Sequence, residues 1–205
     1  IILINNNKTL NVDEILFTSE TSPTNTNFSI SSDYLNGSVS GNFRYSSLPA
    51  IINKIIQHYL PSLTAWKNNE TENGTNNLIK IDLDIANTNE ISEILGLPYR
   101  IEGKSKIRGR IDERFNQIEL EANIPGLKSG KQKLENLTFR INREPRSLKL
   151  SSRAQLVEKT GIVQLFMTGR AAKDSLTAQL GWQNSQQITN AGEINTCTKF
   201  RKENG

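Results

Sequence analysis

Apolar and polar side chains alternate with a period of two through most of the second half of the chain. Ile118, Leu120, Ala122 and Ile124 alternate with Glu119, Glu121 and Asn123, the pattern of a strand with one dry and one wet face. Leu137, Phe139 and Ile141 repeat it, as do Leu148, Leu150, Ala154 and Leu156, then Val163, Leu165 and Met167, then Leu176, Ala178, Leu180 and Trp182. The stretch from Ile194 to Phe200 closes the series. Short polar connections at 112–114, 142–145, 158–161, 173–174 and 184–186 are of the kind that join antiparallel neighbours.

The first half predicts strands near Thr9–Thr18, Asn27–Ser32, Ser38–Arg44 and Leu78–Ile85. Helical spacing occurs twice. Pro49 opens a segment in which Ile52, Ile55, Ile56, Tyr59 and Leu60 share a face before Pro61. Asn87, with Glu90 three residues on, predicts a capped helix that carries Ile91, Ile94 and Leu95 to a stop at Gly96. Residues 67–77 (KNNETENGTNN) contain no apolar side chain and read as a mobile polar loop.

These elements predict an all-β chain with two short helices, one β-rich domain over residues 1–205. Two short helices cannot cover a sheet of roughly ten half-apolar strands, so the sheet must curl on itself. A sandwich, a closed lipocalin-like barrel and an open trough with an apolar floor all satisfy the same alternation.

Composition narrows the chemistry. One cysteine, Cys197, and one histidine, His58, support neither a disulfide within the chain nor a cysteine- or histidine-rich metal site. No cofactor is expected. The net charge of +4 is uneven, with 6 basic and 10 acidic residues in 1–100 against 19 and 11 in 101–205. The basic half suits phosphate or a solvated face, but no nucleic-acid-binding motif accompanies it, and nucleic acid is not an expected partner. Gly103-Lys104-Ser105 resembles the end of a phosphate loop, yet Pro98 stands where that motif needs glycine. Asp82/Asp84 and Glu119/Glu121 are spaced like paired acids, and more simply are the wet faces of two strands. No nucleophile, base and metal set assembles, so no enzymatic activity is expected.

The order of segments resembles a known family. The strand 41–49, the helix to Tyr59-Leu60-Pro61, the strand Ile79–Ile85 and the short helix Ile91–Leu97 followed by Pro98 look like the TamB/AsmA-type family of Gram-negative envelope proteins. The segments Leu137-Thr138-Phe139, Leu148-Lys149-Leu150 and 176–184 are similar to its periplasmic meander. The resemblance implies an elongated, curved antiparallel sheet forming an apolar trough, β-taco-like, in a periplasmic protein anchored in the inner membrane. Since the chain begins at Ile1 rather than Met, it is read as a fragment of such a protein. The implied function is a lipid conduit that supports phospholipid transport to, and protein assembly in, the outer membrane. The implied partners are phospholipid acyl chains and the outer-membrane β-barrel partner of the TamB system. The positions matching the trough face are Ile118, Leu120, Leu137, Phe139, Leu148, Leu150, Leu165, Met167, Leu176, Leu180 and Trp182. A secreted or cell-surface β-sandwich adhesin or carbohydrate-binding module remains the alternative, and a plain dry core demands the same alternation as a trough.

Overall fold

The alternating segments become strands of one antiparallel sheet. A computed structural model describes residues 2–5, 8–22, 25–62, 76–159, 161–184 and 190–201. In spatial and chain order the sheet holds β3 (Ile15–Thr21), β4 (Thr26–Ser32), β5 (Leu35–Asn42), β6 (Leu78–Ile85), β8 (Ser105–Asp112), β9 (Gln117–Ser129), β10 (Gln132–Glu144), β11 (Ser147–Glu158), β12 (Gly161–Ala172), β13 (Ser175–Asn184) and β14 (Ala191–Lys199). A twelfth strand, β7 (Tyr99–Glu102), pairs with the far end of β9. Ahead of the sheet, β1 (Ile2–Asn5) and β2 (Lys8–Asn11) form a separate hairpin. The sequence expectation of one strand near Thr9–Thr18 is therefore corrected to two, broken at Val12–Glu14, where Val12 turns into a core.

Strand β8 was not anticipated, because Gly109 stands where the period of two calls for an apolar side chain. The reason lies across the sheet. A Cβ at Gly109 would come within 3.0 Å of Leu120 and 3.4 Å of Ile81, so glycine leaves the room that Leu120 fills. Gly103-Lys104, read as a weak phosphate-loop echo, is the break between β7 and β8, with Gly103 at φ +84. Pro125 lies against this break and has no N–H to give to a neighbouring strand.

Helix α1 (Leu48–Tyr59) has Pro49 in its first turn, as expected. Of the predicted stripe it buries Ile55 and Tyr59, with Leu60 just beyond, but Ile51 is buried in place of Ile52, which stays 42% exposed. The sheet takes the i, i+4, i+8 row, one residue round from the predicted face. Helix α2 (Asn89–Ile94) has Thr88, not Asn87, at its N-cap; the Asn87 side chain accepts the Asn89 amide at 2.9 Å. Gly96 at φ +65 ends it, leaving Leu95 exposed.

Two cores result. The larger packs Ile51, Ile55, Tyr59 and Leu60 against Phe43, Ile79, Ile111 and Ala171, with Ile118, Leu148 and Phe200 alongside. These residues come from strands on both sides of the sheet's middle, all at the strand ends nearest α1, so the sheet bends around the helix. The smaller packs Ile94 against Leu10 and Val12. Among the described residues β3 and β14 are unpaired edges, so the sheet stays open and the lipocalin-like closure does not form. Of the polar loop, residues 67–75 lie outside the described residues. Its last residue, Asn77, is buried and donates to Glu113 Oε2 at 2.6 Å.

Candidate functional site

Directly opposed residues in antiparallel strands point to the same side of the sheet, so the register decides which side chains share a face. Ile79 opposes Ile111 and Ile111 opposes Ile118. Leu120 opposes Ile141, which opposes Leu150. Ala122 opposes Phe139, and Phe139 opposes Ser152, which leads to Met167, Leu180 and Ile194. Ala154 opposes Leu165 and Leu165 opposes Trp182. Leu148, Ala171 and Leu176 form a further row. All eleven residues expected on the trough face lie on one face, together with Val39, Ile81, Leu83 and Ile107 from the first half.

A bulge keeps the face continuous. The β10–β11 register slips between Glu135 and Thr138, where Asn136 adopts φ +52. Leu134 and Leu137, three residues apart, thereby reach the same side: Leu134 opposes both Leu127 and Leu156, and Leu156 is two residues from Ala154. The period of two concealed Leu127 and Leu134, since only a positive-φ asparagine tells of the extra residue.

None of the eleven belongs to the fully buried core. Ile118 and Leu148 pack beside the α1 core, whereas Met167, Leu176 and Leu180 are exposed and the others half-buried. A sandwich core would bury this whole set; among the described residues no second sheet covers it, and α1 sits only at one end of the face.

The opposite face is charged and self-paired. Arg108 bridges Asp82 at 2.8 Å and Asp84 at 3.3 Å, and Arg140 donates to Glu121 at 2.7 Å. Glu119 accepts from Gln117. The two carboxylate pairs are thus rungs of a cross-strand ladder rather than an isolated acid pair, and such exposed ion pairs add at most about 1 kcal/mol each. Two shallow depressions, of about 670 and 710 Å³, open on this polar face, the first along Asp82, Arg108 and Glu121, the second along Arg140, Lys149 and Arg153. His58 is exposed on α1, its ring edge-on to Tyr59. Among the described residues no group of three or more His, Cys, Asp or Glu side chains is arranged to hold a metal, and no helix is long and apolar enough to cross a membrane.

Ion pairing concentrates where α1 meets the strand ends. Asp112, fully buried, accepts from Arg114 and Arg110, and the Arg114 hydrogen bonds hold its carboxyl below the usual range against the opposing effect of burial. Burial pushes Glu113 up, but Lys54 at 2.7 Å and Asn77 outweigh it and leave the group below its ordinary value. Lys54 lies on α1, so this pair fastens the helix to the β8–β9 turn.

No family model, curated protein or solved structure matches this chain.

Proposed function

We propose that the open apolar face is a lipid-binding floor, and that the chain is a periplasmic segment of a lipid conduit supporting phospholipid transport to, and protein assembly in, the outer membrane. The observation that carries this reading is the continuity of the floor: one apolar face runs across the whole sheet without a fully buried side chain among the eleven candidates. An acyl chain gains about 0.8 kcal/mol per CH2 removed from water, so a continuous floor retains it without a shaped pocket and lets it slide at little cost. The headgroup stays in water at the strand ends, where exposed turn residues such as Arg146, Lys159 and Lys173 can meet its phosphate. The resemblance to the TamB/AsmA-type family supplies the envelope setting, with an outer-membrane β-barrel as partner.

Native mass spectrometry of protein purified from a Gram-negative envelope tests the reading. Retained phospholipid that is lost in a folded Leu150→Asp variant is the expected result. A lipid-free protein that captures glycans instead would favour the surface adhesin or carbohydrate-binding module.

A further inference from the structure

Five consecutive residues between α2 and β7 are exposed and almost wholly apolar. In Leu95-Gly96-Leu97-Pro98-Tyr99, Leu95 is 55% exposed, Leu97 42% and Tyr99 56%. Among the described residues no other five-residue stretch exposes three large apolar side chains. The backbone of this run is tied into the end of α2. The Leu97 amide donates to the Ser92 carbonyl at 2.8 Å and the Gly96 amide to the Glu93 carbonyl at 3.3 Å, a paired helix ending that Gly96 permits at φ +65. The three side chains are thus held out in water by a fixed turn.

The same end of the sheet is cationic. β7 pairs with the far end of β9, which sets Tyr99 opposite Ser129 and Arg100 opposite Lys128. Like charges directly opposed on neighbouring strands repel. Residues 95–104 and 126–133 hold five basic side chains and one acid, Glu102, and Lys133 takes up that acid at 3.1 Å. Arg100, Lys128 and Lys131 have no ion pair among the described residues. An anion brought to this end would relieve the repulsion.

Tyr99 also belongs to the lip of the apolar face. It lies two residues from Ile101, which opposes Leu127 on the floor. From these observations we propose that this end of the sheet docks on a lipid bilayer with an anionic surface. Leu95, Leu97 and Tyr99 enter the headgroup layer, and Arg100, Lys128 and Lys131 meet its phosphates. Tyrosine and leucine beside lysine and arginine are the side chains that favour a membrane interface, and each cation near an anionic surface adds attraction. Unpaired cations on long stems suit a fluid layer of phosphates better than a fixed set of carboxylates on a protein. Since α1 occupies the opposite end of the floor, an acyl chain leaving the bilayer would pass Tyr99 onto Leu127, Leu134 and Leu156. That route rests on the lipid-binding floor; the docking surface does not.

Flotation of the 205-residue chain with vesicles tests the proposal. Wild type should bind vesicles of equal parts phosphatidylcholine and phosphatidylglycerol, and bind phosphatidylcholine alone about tenfold more weakly or worse. Salt should weaken the binding. Leu95→Glu/Leu97→Glu and Lys128→Glu/Lys131→Glu should each lose about tenfold or more, with unchanged circular dichroism spectra. Phe115→Glu, a like change at an exposed aromatic at the α1 end, should bind as wild type. So should the floor variant Leu150→Asp, which separates failure of the docking surface from failure of the lipid-binding floor. No binding of wild type to the anionic vesicles, as a rim built for a protein would give, overturns the proposal. Binding unaffected by both rim variants, or lost equally in Phe115→Glu or in folded Leu150→Asp, overturns it too.

Discussion

The hydroxyl of Tyr59 donates to the carbonyl of Asn116 at 3.0 Å, while the Tyr59 carbonyl accepts the Asp174 amide at 3.1 Å. Asn116 lies in the β8–β9 turn and Asp174 in the β12–β13 turn. On a flat sheet those turns are four strand spacings apart, about 19 Å. One tyrosine residue spans less than about 10 Å between its own two oxygens, so with the hydrogen bonds of 3.0 and 3.1 Å the turns stand within about 16 Å. The sheet must therefore bend here, and Tyr59 clamps the bend.

Tyr59→Phe removes the bond to Asn116 and leaves that carbonyl to find water. Thermal or denaturant unfolding should show a loss of about 1 kcal/mol. Ile55→Ala, beside it in the core, should cost about 2–5 kcal/mol through the cavity it leaves. Equal stability of both variants with wild type would remove α1 as the element that holds the curve.

Acid should loosen the same end. The carboxyls of Asp112 and Glu113 both sit below their ordinary values. Their stabilisation is fully present above the unfolded-state values of about 4 and is lost as pH falls through the folded-state values. The melting temperature should fall as pH drops below about 4. Asp112→Asn, already without that charge at neutral pH, should show a shallower acid dependence.

The Lys173-Asp174 turn holds two non-glycine residues at φ +49 and +60, a conformation that favours asparagine and glycine. Lys173→Asn should stabilise by up to about 1 kcal/mol in denaturant titration. Asp174→Gly should not match it, because the Asp174 side chain accepts the Ser62 amide at 2.5 Å.

Much of this architecture was legible in the chain. The six strands β9 to β14, β6 and the two helices arise from strong periodicity, and the eleven floor residues share a face because alternation and register both have a period of two. What was hidden has physical causes. Gly109 erased the alternation of β8 by making room for Leu120; the bulge at Asn136 shifted Leu127 and Leu134 onto the floor; and the rotation of α1 depends on Phe43, Ile79 and Ala171, contacts from remote segments. The distinction between open floor and closed core was likewise illegible, since only the absence of a covering layer makes it.

Leu150 separates floor from core by substitution. Its row neighbours are Ile141 and Gly169, and it is half-buried. On a hydrated floor Leu150→Asp should leave a folded protein, with a loss below about 2 kcal/mol, whereas Ile55→Asp should unfold it by placing a carboxylate in a dry core. Circular dichroism with urea titration distinguishes the two outcomes.

The most direct measurement is photo-crosslinking in cells. A photoreactive amino acid at Leu120, Phe139, Leu150, Leu165 or Leu180 should capture phospholipid. At Glu121, Arg140, Lys149, Gln164 or Gln179, which the register turns to the other face, it should not. Equal capture on both faces, or none on either, would contradict the lipid-binding floor.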